Sequence, residues 1–230
     1  MTHSNPFLTL DQRIVGDIYT STEAMDNLVV LCDDFGSRFG GTEGERQSAA
    51  FFQAKMEEYG LQTARLEPVD YIGWTRGEAK LEISSPLHAE LPCITLPHSP
   101  PADLEASIVD LGDGAPEDFE KRAAEIQGKI VMTTSVVNPE GSKRWVHRGE
   151  KYGRSVLAGA AGFLFVNHYP GFGPATGGIG HDGEGLIPGV SVSKEEGAYL
   201  QRLMQRQGEV TLRLTSTDRS DPMTSWNVAG

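Results

Sequence analysis

Cysteine is scarce in this chain of 230 residues: there are two, Cys32 and Cys93. They are too few and too far apart for a disulfide framework or a thiolate zinc site, and read most simply as small buried thiols kept reduced. Positive charge is short as well, with 20 Lys and Arg against 32 Asp and Glu and a formal net charge of -12. Nucleic acids and anionic membranes are bound through clustered Lys and Arg that displace counterions, so neither is an expected partner. No apolar run approaches the ~18 residues of a membrane span. The opening MTHSNPFLTLDQR has neither the basic nor the apolar region of a secretory signal, which leaves the cytoplasm as the default compartment. What remains is an ordinary globular composition, 38% hydrophobic and 23% charged, in a length that suits one large domain or two small ones.

Periodicity supplies the elements. Thr20 and Glu23 stand at capping-box spacing, and Met25, Leu28, Val29 and Cys32 follow at helical intervals to Gly36. Thr42 and Glu45 repeat the cap before a second helix with Ala49, Phe52, Met56 and Tyr59 on one face and Gly60 as its stop. LQTARLEPV reads as a strand. EAKLEISSP and ASIVDLG are short strands separated by the Pro-rich LPCITLPHSPP, and APEDFEKRAAEIQG is a short helix with Pro116 in its first turn. A regular alternation follows: strand KIVMTTSVV, helix EKYGRSVLAGA, strand GFLFVN, a Gly-rich loop, strand IPGVSVS, a helix capped by Ser193 and Glu196, and strand EVTLRLTST. Short apolar strands alternating with helices predict an α/β domain. TSWNVAG, which closes the sequence, opens a further strand.

Most short motifs fail on context. Gly178, Gly180 and Gly183 fit G-x-G-x-x-G, but no strand leads into the turn and no helix leads out of it, as dinucleotide binding requires. Gly36 and Gly41 have P-loop spacing, yet Thr42 stands where the phosphate-binding lysine belongs. PGVSVS resembles a nucleophile elbow, with Ser193 in place of the second glycine; a helix cap is its better use. The six histidines, His3, His88, His98, His147, His168 and His181, include no pair at the i, i+4 spacing that places two zinc ligands on one helical face. His181 and Asp182 are adjacent, so in extended chain they point to opposite sides. The carboxylate pairs Asp33-Asp34, Glu57-Glu58 and Glu195-Glu196 read as solvated charges near helix ends. One basic and aromatic cluster stands out in the acidic chain: Arg144, Trp145, His147 and Arg148 are candidate contacts at a substrate entrance.

Three stretches together carry a family resemblance. LCDDFGSRFGGTEGERQSAAFFQAKMEEYGLQTARLEPV, with Gly36, Arg38 and Gly41 in a G-x-R-x-x-G turn, resembles the opening of zinc-dependent exopeptidases of the aminopeptidase and glutamate carboxypeptidase type. YIGWTRGEAKLEI is similar to the lead-in of an inserted domain in the carboxypeptidase Q-like branch. GKIVMTT, then HRGEKYGRSVLAGAAGFLFVNH, then GLIPGVSVSKEEGAYLQRLM resembles the protease-associated (PA) domain. The resemblance runs from about Leu31 to Gly230.

It implies the leading helices of a zinc-exopeptidase domain over residues 1–77, a PA-type α/β insert with short flanked strands over 78–217, and a strand returning to the peptidase sheet over 218–230. Such enzymes hydrolyse a terminal bond of a small peptide substrate with two zinc ions and a carboxylate base. The family's Gly-His-x-Asp zinc ligands would come after the return strand. This chain is therefore expected to hold no zinc or catalytic residues of its own and to be inactive as a truncated portion. Peptidase helices without the sheet that covers them would expose an apolar patch of the kind that promotes association into a homo-oligomer. Relatives in the family are often exported, which pulls against the default compartment. The alternative is a stand-alone PA-like module that binds a protein or ligand without catalysis.

Overall fold

The computed structural model describes residues 5–180 and 183–230. His181 and Asp182, weighed above as a polar pair, lie outside the described residues, as does His3. The chain divides into two compact units, Met1–Tyr71 with Met223–Gly230, and Ile72–Pro222. Among the described residues no helix is long and apolar enough to cross a membrane.

The first unit opens with a helix that the capping pattern did not anticipate, α1 (Leu8–Thr20). Thr20 is its last residue rather than the cap of the next helix, and its hydroxyl donates back to the Gly16 carbonyl at 2.8 Å, the bond a threonine makes inside a helix. Thr22 precedes α2 (Glu23–Val29), which runs into a π-helical turn over Val30–Asp34. The second cap is as read. Thr42 accepts the Glu45 backbone N–H at the start of α3 (Glu43–Glu58), and the Glu45 carboxylate reaches back to the N–H of Gly41 at 2.5 Å. Gly60, at φ +87°, ends the run in a conformation that costs glycine little. Of the expected buried face only Ala49 is buried; Phe52 and Tyr59 are 41% and 54% exposed. The strand β1 (Arg65–Thr75) follows, longer than LQTARLEPV suggested.

The second unit is built on a sheet of order β3-β2-β9-β5-β6-β7-β8-β4. Its strands and helices are, in chain order, β2 (Ala79–Ser85), β3 (Ala89–Leu91), β4 (Ile94–Thr95), β5 (Ala102–Asp110), α4 (Pro116–Lys121), α5 (Ala123–Ile126), β6 (Ile130–Thr134), α6 (Arg148–Leu157), β7 (Gly162–Val166), β8 (Gly189–Val192), α7 (Lys194–Gln207) and β9 (Thr211–Ser216). Strands β5 to β8 run parallel, and β2, β3, β4 and β9 pair antiparallel around them. The Pro-rich stretch expected to be loop holds β4, which pairs with β8 through Ile94 and Ser191. The short helix over 115–128 is two, interrupted at Arg122.

Strand periodicity splits the core between two faces, since successive side chains point to opposite sides. In β7, Leu164 and Val166 join Met132, Val190, Val192, Leu200 and Leu203 beneath α7, whereas Phe163 and Phe165 join Val131, Phe119, Ile126 and Tyr152 beneath α4 to α6. Gly197 brings α7 close to β7: a Cβ there would stand 2.3 Å from a methyl of Val166. Ser193 caps α7 by accepting the N–H groups of Glu195 and Glu196.

The chain enters and leaves the eight-stranded sheet at one place. Glu78 N–H donates to the Thr217 hydroxyl and Thr217 N–H to the Glu78 carbonyl, both at 3.0 Å. Asp218, only 2% exposed, accepts from Gly77 N–H and the Thr95 hydroxyl, each at 2.9 Å. The final strand, β10 (Arg219–Ala229), pairs with β1 in a separate two-stranded sheet. The partner of TSWNVAG thus lies upstream. Within the first unit the Glu45 carboxylate ties this strand to α3, accepting from the Trp226 N–H at 3.2 Å and from the Ser225 hydroxyl.

Candidate functional site

The carboxyl ends of parallel strands are where open α/β sheets gather their ligand contacts, and here β6 and β7 end side by side. Thr134 pairs with Val166, the last residues of the two strands. The Ser135 N–H continues the ladder to the Val166 carbonyl at 2.8 Å, and the Asn167 N–H bonds the Val192 carbonyl at 3.0 Å. The chain then leaves the sheet as two loops, one leading into α6 and one rich in glycine. Between them lies a cleft of about 730 Å³ whose lining includes Ser135, Trp145, His147, Arg148, Phe165, His168, Tyr169 and Phe172.

Lys151 of α6 holds one wall from beneath. Its side chain is buried, 1% exposed, and its Nζ donates to the Thr134 carbonyl at 2.8 Å and the Val136 carbonyl at 2.6 Å. Those carbonyls lose their sheet partners where the strand ends, and the ammonium satisfies them. Burial pulls the Lys151 pKa down from 10.5 to about 8, against the opposing charge of Asp113, because desolvation disfavours the charged form.

The basic and aromatic cluster is split by the fold. His147 is the N-cap of α6: its Nδ1 accepts the Gly149 N–H at 3.1 Å, and its ring lies 5.4 Å from that of Trp145. Burial, then the charges of Arg148 and Lys151, lower its pKa, so the neutral acceptor form is the one favoured. Arg148 turns into the cleft, where its Nε donates to the Gly178 carbonyl at 3.1 Å and its guanidinium stands 5.7 Å from the centre of the Phe165 ring. Half-buried, it has a pKa lowered by desolvation, and among the described residues it makes no ion pair with a carboxylate. Arg144 is not among the lining residues. Its fork is taken by Glu150 at 2.5 and 2.7 Å, and Arg144, with Arg154 also bonded, holds the Glu150 carboxyl down at about 2. The trait that joined the four residues in sequence, local basicity, therefore places three at the cleft and one in an ion pair beside it.

Ser135 and His168 were not singled out from sequence as a pair. The Ser135 Oγ accepts the His168 backbone N–H at 2.9 Å and lies 2.6 Å from its Nδ1. The Ser135 hydroxyl thus holds both the backbone and the ring of His168 in place. The His168 ring packs on Tyr169 at 3.8 Å. Trp145, Tyr169 and Phe172 remain 59%, 59% and 79% exposed, an apolar rim of a kind that marks contact sites. The signal that would have found Ser135 and His168 is positional: each is within two residues of the end of a parallel strand.

These donors do not fit a zinc pair. Among the described residues no three His, Cys, Asp or Glu side chains converge as a metal site. His147 spends its Nδ1 lone pair on the α6 cap, and no carboxylate or thiolate stands among the cleft's lining residues to complete a ligand set.

Comparison with known proteins bears on the fold. Residues 100–200 match the family model of the PA domain. Human carboxypeptidase Q is 23% identical over 204 residues, covering 86% of this chain and 43% of that protein. Among solved structures, a peptidase M28 precursor from Shewanella amazonensis SB2B superposes with a TM-score of 0.74 at 22% identity, over 96% of this chain and 52% of the other. An aminopeptidase from Aneurinibacillus sp. strain AM-1 gives 0.67 at 21% identity, over 91% and 47%. A zinc aminopeptidase from Bacillus subtilis gives 0.65 at 22%, over 88% and 44%. The chain spans about half the length of the relatives it matches. It is similar to these peptidases along nearly all of its own length, and shares with them a mixed α/β fold that includes a PA-like region.

Proposed function

We propose that this chain is the leading part and PA-type insert of a metal-dependent exopeptidase acting on small peptides, with a two-zinc hydrolytic centre supplied by residues other than these 230. The observation that carries the reading is architectural: β1 and β10 pair with each other on either side of a PA-like unit. A unit whose ends meet, set between two paired strands, is what an insertion into a peptidase sheet requires. In this reading the cleft belongs to the substrate entrance. Trp145, Tyr169 and Phe172 offer apolar contact to a peptide side chain, and Arg148 offers a half-buried guanidinium to its terminal carboxylate, the acceptor that a planar fork suits best. His147 orients this wall through its cap, and Arg144 supports it through Glu150.

The test is zinc-dependent hydrolysis of dipeptides and aminoacyl-anilides by this chain and by a version extended to the length of its relatives. Activity is expected from the extended protein alone; turnover by the 230 residues would sink the assignment. In the extended enzyme Arg148→Gln should raise KM about tenfold, the loss of one charge-assisted hydrogen bond. A second reading, a PA-like binding module without catalysis, draws on a specific feature: every residue lining the cleft belongs to Ile72–Pro222. It predicts peptide binding by this chain and no hydrolysis by any extension.

A further inference from the structure

A second cavity, of about 210 Å³, opens at the carboxyl ends of the same strands on the side of α7. At ~30 Å³ of liquid volume per water it holds about seven waters, and it falls below the ~300–1,000 Å³ that accommodates drug-sized molecules. Its occupant is therefore a molecule of a few heavy atoms.

Strand order separates charge across this cavity. The carboxylates Asp110 and Asp113 come from the end of β5, whereas His168 follows β7 and Lys194 follows β8. Strands β5 and β7 are two spacings apart, about 10 Å. Asp110 is engaged, its Oδ1 accepting the Gly112 N–H and its Oδ2 the Gln201 amide, both at 2.9 Å. Asp113 Oδ1 accepts the Thr134 hydroxyl at 2.6 Å, which fixes the carboxylate while its Oδ2 makes no hydrogen bond among the described residues. On the far side, His168 and Lys194 line the cavity. The first turn of α7 is already occupied: Ser193 takes two of its N–H groups, and Glu195 and Glu196 place acidic charge there. Positive charge for a ligand must therefore come from side chains. Val136, Val166 and Ala198 complete the lining with apolar surface.

We propose that this cavity binds a free α-amino acid in its zwitterionic form. The ligand ammonium is held by Asp113 and the ligand carboxylate by Lys194 and the His168 ring, with a small side chain against Val136, Val166 and Ala198. The site is distinct from the cleft, with which it shares Asn167 and His168, and it exists whether or not the longer protein is a peptidase. Were it one, the ligand would be of the chemical class that exopeptidases release.

The test is calorimetric titration of the 230-residue chain with L-alanine, L-alaninamide and N-acetyl-L-alanine, the last two each lacking one charge. L-alanine is expected to bind saturably with one site per chain, and both derivatives at least about tenfold more weakly, because each leaves a charged group unpaired. Asp113→Asn and Lys194→Gln should each weaken alanine binding about tenfold; Lys194 is exposed, so its variant folds as the parent does. Arg148→Gln, in the cleft, should leave alanine binding unchanged. No saturable heat up to the solubility limit of alanine would overturn the proposal. So would alaninamide binding as tightly as alanine, or loss of binding in Arg148→Gln with Lys194→Gln unaffected.

Discussion

Lys151 shows how much one buried charge can carry. Its pKa is about 8 in the folded chain and 10.5 when exposed, so between those values the unfolded state binds the extra proton. Stability must then rise with pH across that window, the slope following the difference in bound protons. Denaturant melts from pH 7 to pH 10.5 should show the rise, and Lys151→Met should flatten it. His147 acts in the other part of the range. Its pKa is depressed from 6.5, so its cap on α6 is fully present above that value and weakens as pH falls below it. His147→Asn should keep the cap without the pH dependence, and His147→Ala should lose about 1 kcal/mol at neutral pH. Both effects can be read by circular dichroism on the same titration series.

At the scale of elements, close approach matters more than propensity. Gly197 is the only residue type that lets α7 sit against β7 without displacing Val166, so Gly197→Val should cost about 1–3 kcal/mol by overpacking, measurable as a lowered denaturant midpoint. Leu200, fully buried on the same helix, should cost about 2–5 kcal/mol as alanine. The alternation that places these residues was legible in sequence: KIVMTT, GFLFV and GVSV have strand length and apolar content, and Ser193 announces the helix. Other elements were not. β4 is two residues inside a Pro-rich stretch and exists because β8 offers an edge. α1 has Leu10, Ile14 and Ile18 at helical spacing, but no side-chain cap marks its start. Arg122 breaks a helix that its neighbours would continue, and its guanidinium bonds the Asp110 carbonyl instead. The candidate site was visible only in part, because local basicity marks Arg148 but equally marks Arg144. Ser135 and His168 are 33 residues apart, and only the parallel register of β6 with β7 makes them neighbours.

Across the whole molecule, burial is unequal. Among the described residues of Met1–Tyr71 and Met223–Gly230 only Ser48 and Ala49 are buried, while Phe7, Ile18 and Tyr19 are 63%, 68% and 85% exposed. Apolar surface left in water favours association, and a charge of -12 opposes it through repulsion that salt screens. The chain should self-associate as its concentration and the ionic strength rise. Sedimentation velocity would follow this, and Ile14→Lys with Ile18→Lys should shift the population toward monomer; a chain that stays monomeric at high salt would contradict it. The second unit, by contrast, has a core on each face of its sheet.

The meeting of Gly77 and Glu78 with Thr217 and Asp218 has a consequence for the entropy of folding. A body that is entered and left at a single doorway adds little to the cost of closing the chain between β1 and β10, because the two ends already lie a hydrogen bond apart.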